Sequence, residues 1–456
     1  MCAQCNLFGR NGEVTTELGG WGRYPRCCST LLTADSVASV RALQRDLEGY
    51  VARGAGRAYG DAGVGLPSTI AMRSLDRMRH FDPASGVLTV EAGVTLKDVI
   101  DALLPRGWFV PVVPGTSFVT VGGMVAADVH GKNHHRCGGF GHHVISLVLL
   151  APSGEALTCS PSENAELFKA TIGGMGLTGI IVEVTFRMIR VETGWIRQST
   201  RATSDLDATL TALTEGDAQS TYSVAWIDVS PGRKRLGRGV VFLGEHALRT
   251  ELTQASPAFP PSRRPSHSVP VDLPRGALNR WSVAAFNAIY HGKAAARPGT
   301  TLVRWDKYFF PLDAIGDWNR LYGRGGFLQH QCVIPVAAAA KTIANILDRV
   351  AAAGCAPFLA VVKSLGPGGG LLSFPMPGLT LALDLAVSPR VFTLLDELDR
   401  AVVGVGGRLY LAKDARQSID TFRAGYPKLL DFEAARRAIG AHRRVRSHLS
   451  ARLGII

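Results

Sequence analysis

Five stretches of the sequence hold residue types that could do chemistry. Residues 51–61, VARGAGRAYGD, set Gly54, Gly56 and Gly60 among small residues and arginines, and consecutive backbone N–H groups in such a loop can form an anion-binding nest. Residues 114–123, PGTSFVTVGG, offer further amides and hydroxyls about sixty residues later. Residues 130–143, HGKNHHRCGGFGHH, hold five histidines. FLQHQC places Gln329 and Gln331 two apart, so on a strand they share one face, either hydrated or turned over a pocket. YLAKDAR sets Lys413 beside Asp414, which alone reads as a surface ion pair.

Spacing narrows these readings. A nicotinamide-binding loop needs Gly-x-Gly-x-x-Gly closing a strand and opening a helix. The spacing here is Gly54-x-Gly56-x-x-x-Gly60, followed by DAGVGLPSTI, which has no helical stripe. A triphosphate-binding loop fails because Gly131-Lys132 is followed by Asn133, with no glycine five residues before Gly131. The clustered histidines are separated by glycines, and Cys2, Cys5, Cys27 and Cys28 lack the two well-spaced knuckles of a zinc site. We therefore expect no metal and reduced thiols. Two glycine-rich loops so far apart suit a long cofactor containing a pyrophosphate, and FAD is the natural candidate.

The elements that must position these residues are partly legible. Residues 33–49 read as a helix, with Val37, Val40, Leu43 and Leu47 on one face and Gly49 as its stop. MRHFDPASGVLTVEAGV reads as two strands around a turn, TLKDVIDALLPRG as a helix capped by Thr95, and WFVPVV as an apolar strand. GIIVEVTFRMI alternates as a half-buried strand. After about residue 191, strand-like segments alternate with two evident helices, whereas residues 230–300 are Pro- and Arg-rich with weak periodicity and read as loop.

At 456 residues, two domains are expected. Lys plus Arg exceeds Asp plus Glu by 13, which favours anionic partners, although basic surface loops alone would give the same excess. No basic stretch is interleaved with stacking aromatics, so nucleic acid is not expected as a partner. No membrane-spanning run or signal peptide is visible, and a cytoplasmic location is expected.

RGAGRAYGD (53–61), PGTSFVTVGGMVAADVHGKNHH (114–135), TIGGMGLTGII (171–181) and RLYLAKDAR (408–416) together resemble the vanillyl-alcohol-oxidase-type flavoproteins, within them the branch that oxidises decaprenylphosphoryl-β-D-ribose at the 2′ position. The likeness runs from GGWGRYPR to VRSHLSARLG and is poorest between 230 and 300. It implies an α+β, two-domain fold: a discontinuous FAD domain over 1–191 and 408–456, and an antiparallel-sheet substrate domain over 192–407. By the same resemblance Ala52, Arg53, Gly54, Ala55, Gly56, Arg57, Ala58, Tyr59, Gly60, Asp61 and Ala62 would wrap the FAD pyrophosphate. Gly115, Thr120, Val121, Gly122 and Gly123 would complete that cradle. Ala127, Asp128, Val129 and His130 would run beside the flavin, Ile181 would meet the adenine end, and Tyr410 would lie near the isoalloxazine. Lys413 matches the family's active-site lysine, and His130 would contact flavin and substrate, with His134 and His135 structural. Lys132 would face the substrate phosphate, and Tyr59, Gln329, Gln331 and Lys363 would line the substrate pocket. Many relatives tether flavin through a histidine in the first glycine loop; Arg57-Ala58-Tyr59 holds none, so non-covalent FAD is expected.

The implied reaction is oxidation of a secondary sugar hydroxyl, the 2′-OH of a polyprenyl-phosphoryl ribose, to the ketone. A separate nicotinamide-dependent short-chain reductase would then complete epimerisation to arabinose, and basic loops would touch an anionic membrane surface. Departures at Thr380, Ala382 and Phe309 remove polar groups from the expected substrate wall, which keeps open a soluble sugar, nucleoside or antibiotic intermediate as substrate. A flavin-free binding protein of the same fold is the further alternative.

Overall fold

The computed structural model describes residues 15–229, 236–262, 267–274, 276, 279–355 and 357–455. Cys2 and Cys5 lie outside them, as does part of the basic stretch at 230–239.

The first part of the chain builds two sheets. Thr15–Gly19, Arg26–Thr33, Ser68–Ala71 and Tyr50–Arg53 lie side by side in that order, and the last three run parallel. The helix Val37–Asp46 connects two of these strands; Ser36 caps it by accepting from the Ser39 amide, and Val40 is buried beneath it. The expected helix is thus shorter at both ends, because Thr33 closes a strand and Leu47 turns extended. The second sheet runs Met78–Asp82, Val87–Glu91, Ile180–Arg187, Val144–Leu150, Ala156–Cys159, with every neighbouring pair antiparallel. Gly86, at φ +71°, makes the expected hairpin turn. Thr95 caps Leu96–Leu103 as expected, accepting from the Asp98 amide.

An antiparallel sheet of eight strands follows, ordered Gly299–Arg304, Trp195–Ala202, Gly239–His246, Tyr222–Ile227, Ala360–Leu365, Gly378–Ala386, Phe327–Pro335, Arg408–Leu409. The helices Leu206–Gln219, Val336–Ala352 and Pro389–Val403 bury Leu213, Ile343, Ile346, Leu347, Leu395 and Leu398 against one face. Alternation along Phe327–Pro335 sends Leu328, Cys332 and Ile334 into that core and leaves Gln329 and Gln331 on the opposite face. The tail returns to the first sheet: the Arg446 amide bonds to the Tyr50 carbonyl, and the buried Arg436 guanidinium bonds to the Leu177 and Val445 carbonyls.

Three expectations need correction. WFVPVV gives only the two-residue strand Trp108–Phe109, because Pro111 has no amide to continue a ladder. Residues 230–300, read as loop, contain the strand Gly239–His246 and the sixteen-residue helix Arg280–Ala295. Cys28 is disulfide-bonded, so the thiols are not all reduced. Among the described residues no helix is long and apolar enough to cross a membrane.

Candidate active site

A cavity of about 470 Å³ lies between the first sheet, the short helix Val121–Ala126 and the polar face of the eight-stranded sheet. One end is backbone. The loop leaving Tyr50–Arg53 lines it with Gly54, Ala55, Gly56, Arg57, Ala58, Tyr59 and Ala62, preceded by Ala52 and Arg53. Among the described residues, none of the amides from Gly54 to Ala58 bonds to a carbonyl or side chain of the chain, and Gly56 takes φ +64°. This is a set of open donors of the kind that binds an anion. The second loop adds Gly115, Thr120, Gly122 and Gly123 to the wall, and Ile181 lines the same space. Three of its amides are already engaged: Val121 donates to Val94, Gly122 to Ala92, and Gly123 to the Thr120 hydroxyl. Gly122 and Gly123 thus allow close approach rather than supplying donors. A Cβ on Gly54 would stand 2.2 Å from Thr120 Oγ1, so the two loops touch only because Gly54 has none.

The other end is a polar cluster inside the protein. Lys413, Lys363, Gln329, Gln331, His130, Tyr59 and Tyr410 line it together with Ala127, Val129, Leu359, Val361 and Ala382. Backbone bonds fix the arrangement. The Tyr410 amide bonds to the Gln331 carbonyl, the Tyr59 amide to Ala412, and Tyr410 Oη to the Ala127 carbonyl at 3.0 Å. Lys413 Nζ sits 3.5 Å from the centre of the Tyr59 ring. Burial pulls its ammonium down to about 7; the Asp384 carboxylate opposes that shift and Lys363 adds to it. Asp384 is itself buried, which pushes its carboxyl up to about 7. Its Oδ1 accepts from the Gln329 amide, while Oδ2 has no partner among the described residues. Burial also brings Lys363 down to about 8.

His130 is 6 % exposed, and burial, with Lys363, His134 and Lys413 nearby, holds it neutral with a pKa well below the usual histidine value. Its tautomer follows from its partner. Gln331 gives an amide N–H to His130 Nε2 (2.9 Å) and another to Thr380 Oγ1 (3.2 Å), so the ring proton sits on Nδ1. That Nδ1 has no partner among the described residues.

Residues 32–160 match the FAD binding domain family. Over 97% of its length the chain is 37% identical to decaprenylphosphoryl-beta-D-ribose oxidase of Mycolicibacterium smegmatis, covering 98% of that protein. The chain belongs to the vanillyl-alcohol-oxidase-type FAD-binding oxidoreductases. More distant similarity, 31% over 39% of this chain and 42% of the relative, is found to L-gulonolactone oxidase of Bos taurus. D-Arabinono-1,4-lactone oxidase of Yarrowia lipolytica is 33% identical over 27% of this chain and 26% of that protein.

As in a flavoprotein of this type, the residues suit a dinucleotide: open amides at 54–58 for a pyrophosphate, glycine walls for close approach, and an unpartnered His130 Nδ1 donor. Five expected site residues do not line the cavity. Gly60 packs on the Lys413 segment instead, where a Cβ would meet the Asp414 carbonyl at 2.0 Å. Asp61 pairs with Arg452 at 2.8 Å, and Arg452 also holds Asp414 at 2.9 Å. Asp414 is thus engaged by Arg452, and Lys413 is no surface ion pair. Val121 is in the core. Asp128 is fully buried and accepts from the Gly141 and Gly369 amides (3.0 Å each) and Ser373 Oγ (2.5 Å). Lys132, expected at a substrate phosphate, instead bonds the carbonyls of Tyr308 (2.5 Å) and Phe309 (3.3 Å).

Phe309 is likewise in the core rather than on the substrate wall. His134 and His135 act structurally: His134 Nδ1 accepts from the Gly366 amide at 2.9 Å, and His135 Nε2 is 3.2 Å from the Ser220 carbonyl. Among the described residues no group of three or more His, Cys, Asp or Glu is placed to hold a metal. Sequence reading missed Asp384. Its signal was a lone carboxylate inside the apolar run LTLALDLA, two-residue steps from Thr380 and Ala382 and directly opposite Gln329.

Proposed function

We propose that the chain oxidises a secondary hydroxyl of a sugar to a ketone, with non-covalently bound FAD as electron acceptor. The observation that carries this reading is the buried Lys413–Tyr59–His130 cluster, with Asp384 behind it on Gln329, at the opposite end of the cavity from the open amides of the glycine loop. Bound FAD would supply the hydride acceptor at its flavin ring. Residues 54–58 would hold its pyrophosphate, and Tyr410 and Ala127 would flank the ring. The remaining chemistry is the chain's own. Lys413, neutral in good part near pH 7, takes the hydroxyl proton, and Asp384 sets how readily it does so. His130 offers its Nδ1–H to an oxygen, held in that tautomer by Gln331. Gln329, Gln331 and Lys363 position the sugar.

The substrate we propose is a polyprenyl-phosphoryl ribose oxidised at the 2′-OH. The support is the similarity to the mycolicibacterial oxidase along nearly the whole of both chains. The ketone would pass to a separate nicotinamide-dependent reductase that returns a hydroxyl of inverted configuration. Ala382, on the cavity wall, favours a second reading in which a soluble sugar, nucleoside or antibiotic intermediate is oxidised. Anaerobic titration of the yellow holoprotein tests both. Bleaching of the flavin by polyprenyl-phosphoryl ribose and not by free sugars or nucleosides supports the first reading. The reverse pattern supports the second. Purified protein that stays colourless after incubation with FAD sinks both.

A further inference from the structure

The helix Arg280–Ala295 is held to the rest of the molecule along one narrow side. Val283 and Asn287 are buried, Asn287 Nδ2 bonds Asp228 Oδ1 at 2.8 Å, and Tyr290 packs on Trp226 with ring centres 4.8 Å apart. The outward positions Trp281, Ala285, Ala288, Ile289 and Gly292 recur at helical spacing and form one apolar stripe. Trp281 is 72 % exposed and Ile289 59 %, with Phe286 at the stripe's margin. A water-facing helix normally carries its charges on this side, and here that side is apolar.

The charge along this stretch of sequence has one sign. From residue 273 to residue 305 the sequence holds no Asp or Glu but does hold Arg275, Arg280, Lys293, Arg297 and Arg304, and Lys293 and Arg297 are exposed at the C-terminal end of the helix. An exposed apolar helical face on a stretch whose only charges are cationic complements an anionic lipid surface: the stripe enters the acyl boundary and the cations meet the headgroups. The helix also adjoins the active site. Phe286 packs on Phe358 at 5.4 Å, and the next residue, Leu359, lines the cavity. Ile315, 42 % exposed, lines the cavity as well.

We propose that Arg280–Ala295 docks the protein on an anionic bilayer surface and brings the cavity to the lipid. The docking is read without turnover, so it can fail while the oxidase reading stands, and the reverse. The experiment is cosedimentation of the full-length holoprotein with phosphatidylglycerol/phosphatidylcholine vesicles and with phosphatidylcholine vesicles alone. The wild type is expected to sediment with the anionic vesicles, to release as salt is raised, and to leave the neutral ones in solution. W281D/I289D is expected to lower the bound fraction about tenfold or more, with unchanged flavin absorbance and melting temperature. A285E/A288E, on the same stripe, is the second variant should the first fail to fold. Wild-type protein that ignores anionic vesicles overturns the proposal, as does undiminished binding by the folded variants. A variant that loses self-association in sedimentation velocity while keeping its vesicle binding assigns the stripe to a second copy of the chain.

Discussion

Near neutral pH Lys413 is divided between ammonium and amine, because burial lowers its pKa to about 7 against the pull of Asp384. If the amine is the base, flavin reduction by substrate rises with pH through that value and then levels, since only the deprotonated form accepts the hydroxyl proton. Stopped-flow reduction under anaerobic conditions across pH measures this; a rate that falls as pH rises through the same range would remove Lys413 from that role. Lys413→Ala leaves the open amides at 54–58 untouched, so it should keep FAD and slow reduction by roughly 10²–10⁴-fold. Asp384 raises the Lys413 pKa, so Asp384→Asn should let it fall further and move the midpoint of the pH profile to lower pH. A midpoint that stays put would show Asp384 does not govern the lysine.

The glycine loop and the helix Val121–Ala126 act as a pair because Gly54 and Thr120 are in contact. Gly54→Ala should push the loop from the helix and displace the open amides at 54–58, raising the FAD dissociation constant at least about tenfold. Quenching of FAD fluorescence on binding measures it, and unchanged affinity would mean the pyrophosphate lies elsewhere. The elements around this contact were legible where one face is buried and the other wet. The Ser36-capped helix, the Gly86 hairpin and the alternating strand Ile180–Arg187 each announce themselves by period and punctuation. Arg280–Ala295 was hidden because its outward positions are apolar too, which erases the helical period. Asp384 was hidden for the converse reason: Gly378–Ala386 is buried on both faces, so its run lacks the alternation that would mark which side meets the cavity. Lys132 misled because sequence shows a cation beside the histidines but not the Tyr308 and Phe309 carbonyls that engage it.

Across the whole molecule, residues far apart in sequence are brought to one cavity by the tail's return, and Arg452 is its fastening. This side chain bonds Asp61 in the glycine-loop segment and Asp414 next to Lys413, both almost inaccessible to solvent. Removing the cation would leave two facing carboxylates with little water to compensate them, and the chain must then unfold locally or protonate one. Arg452→Met should therefore lower stability on the order of 3 kcal/mol, seen as a drop in melting temperature, with a loss of FAD affinity because the glycine loop is released. The cost is uncompensated charge rather than lost packing, which separates this account from a simple cavity effect. Adding Asp61→Asn and Asp414→Asn to Arg452→Met should recover most of the lost stability. If the triple variant melts no higher than Arg452→Met alone, the tail is held by its apolar contacts and the ion triad is incidental.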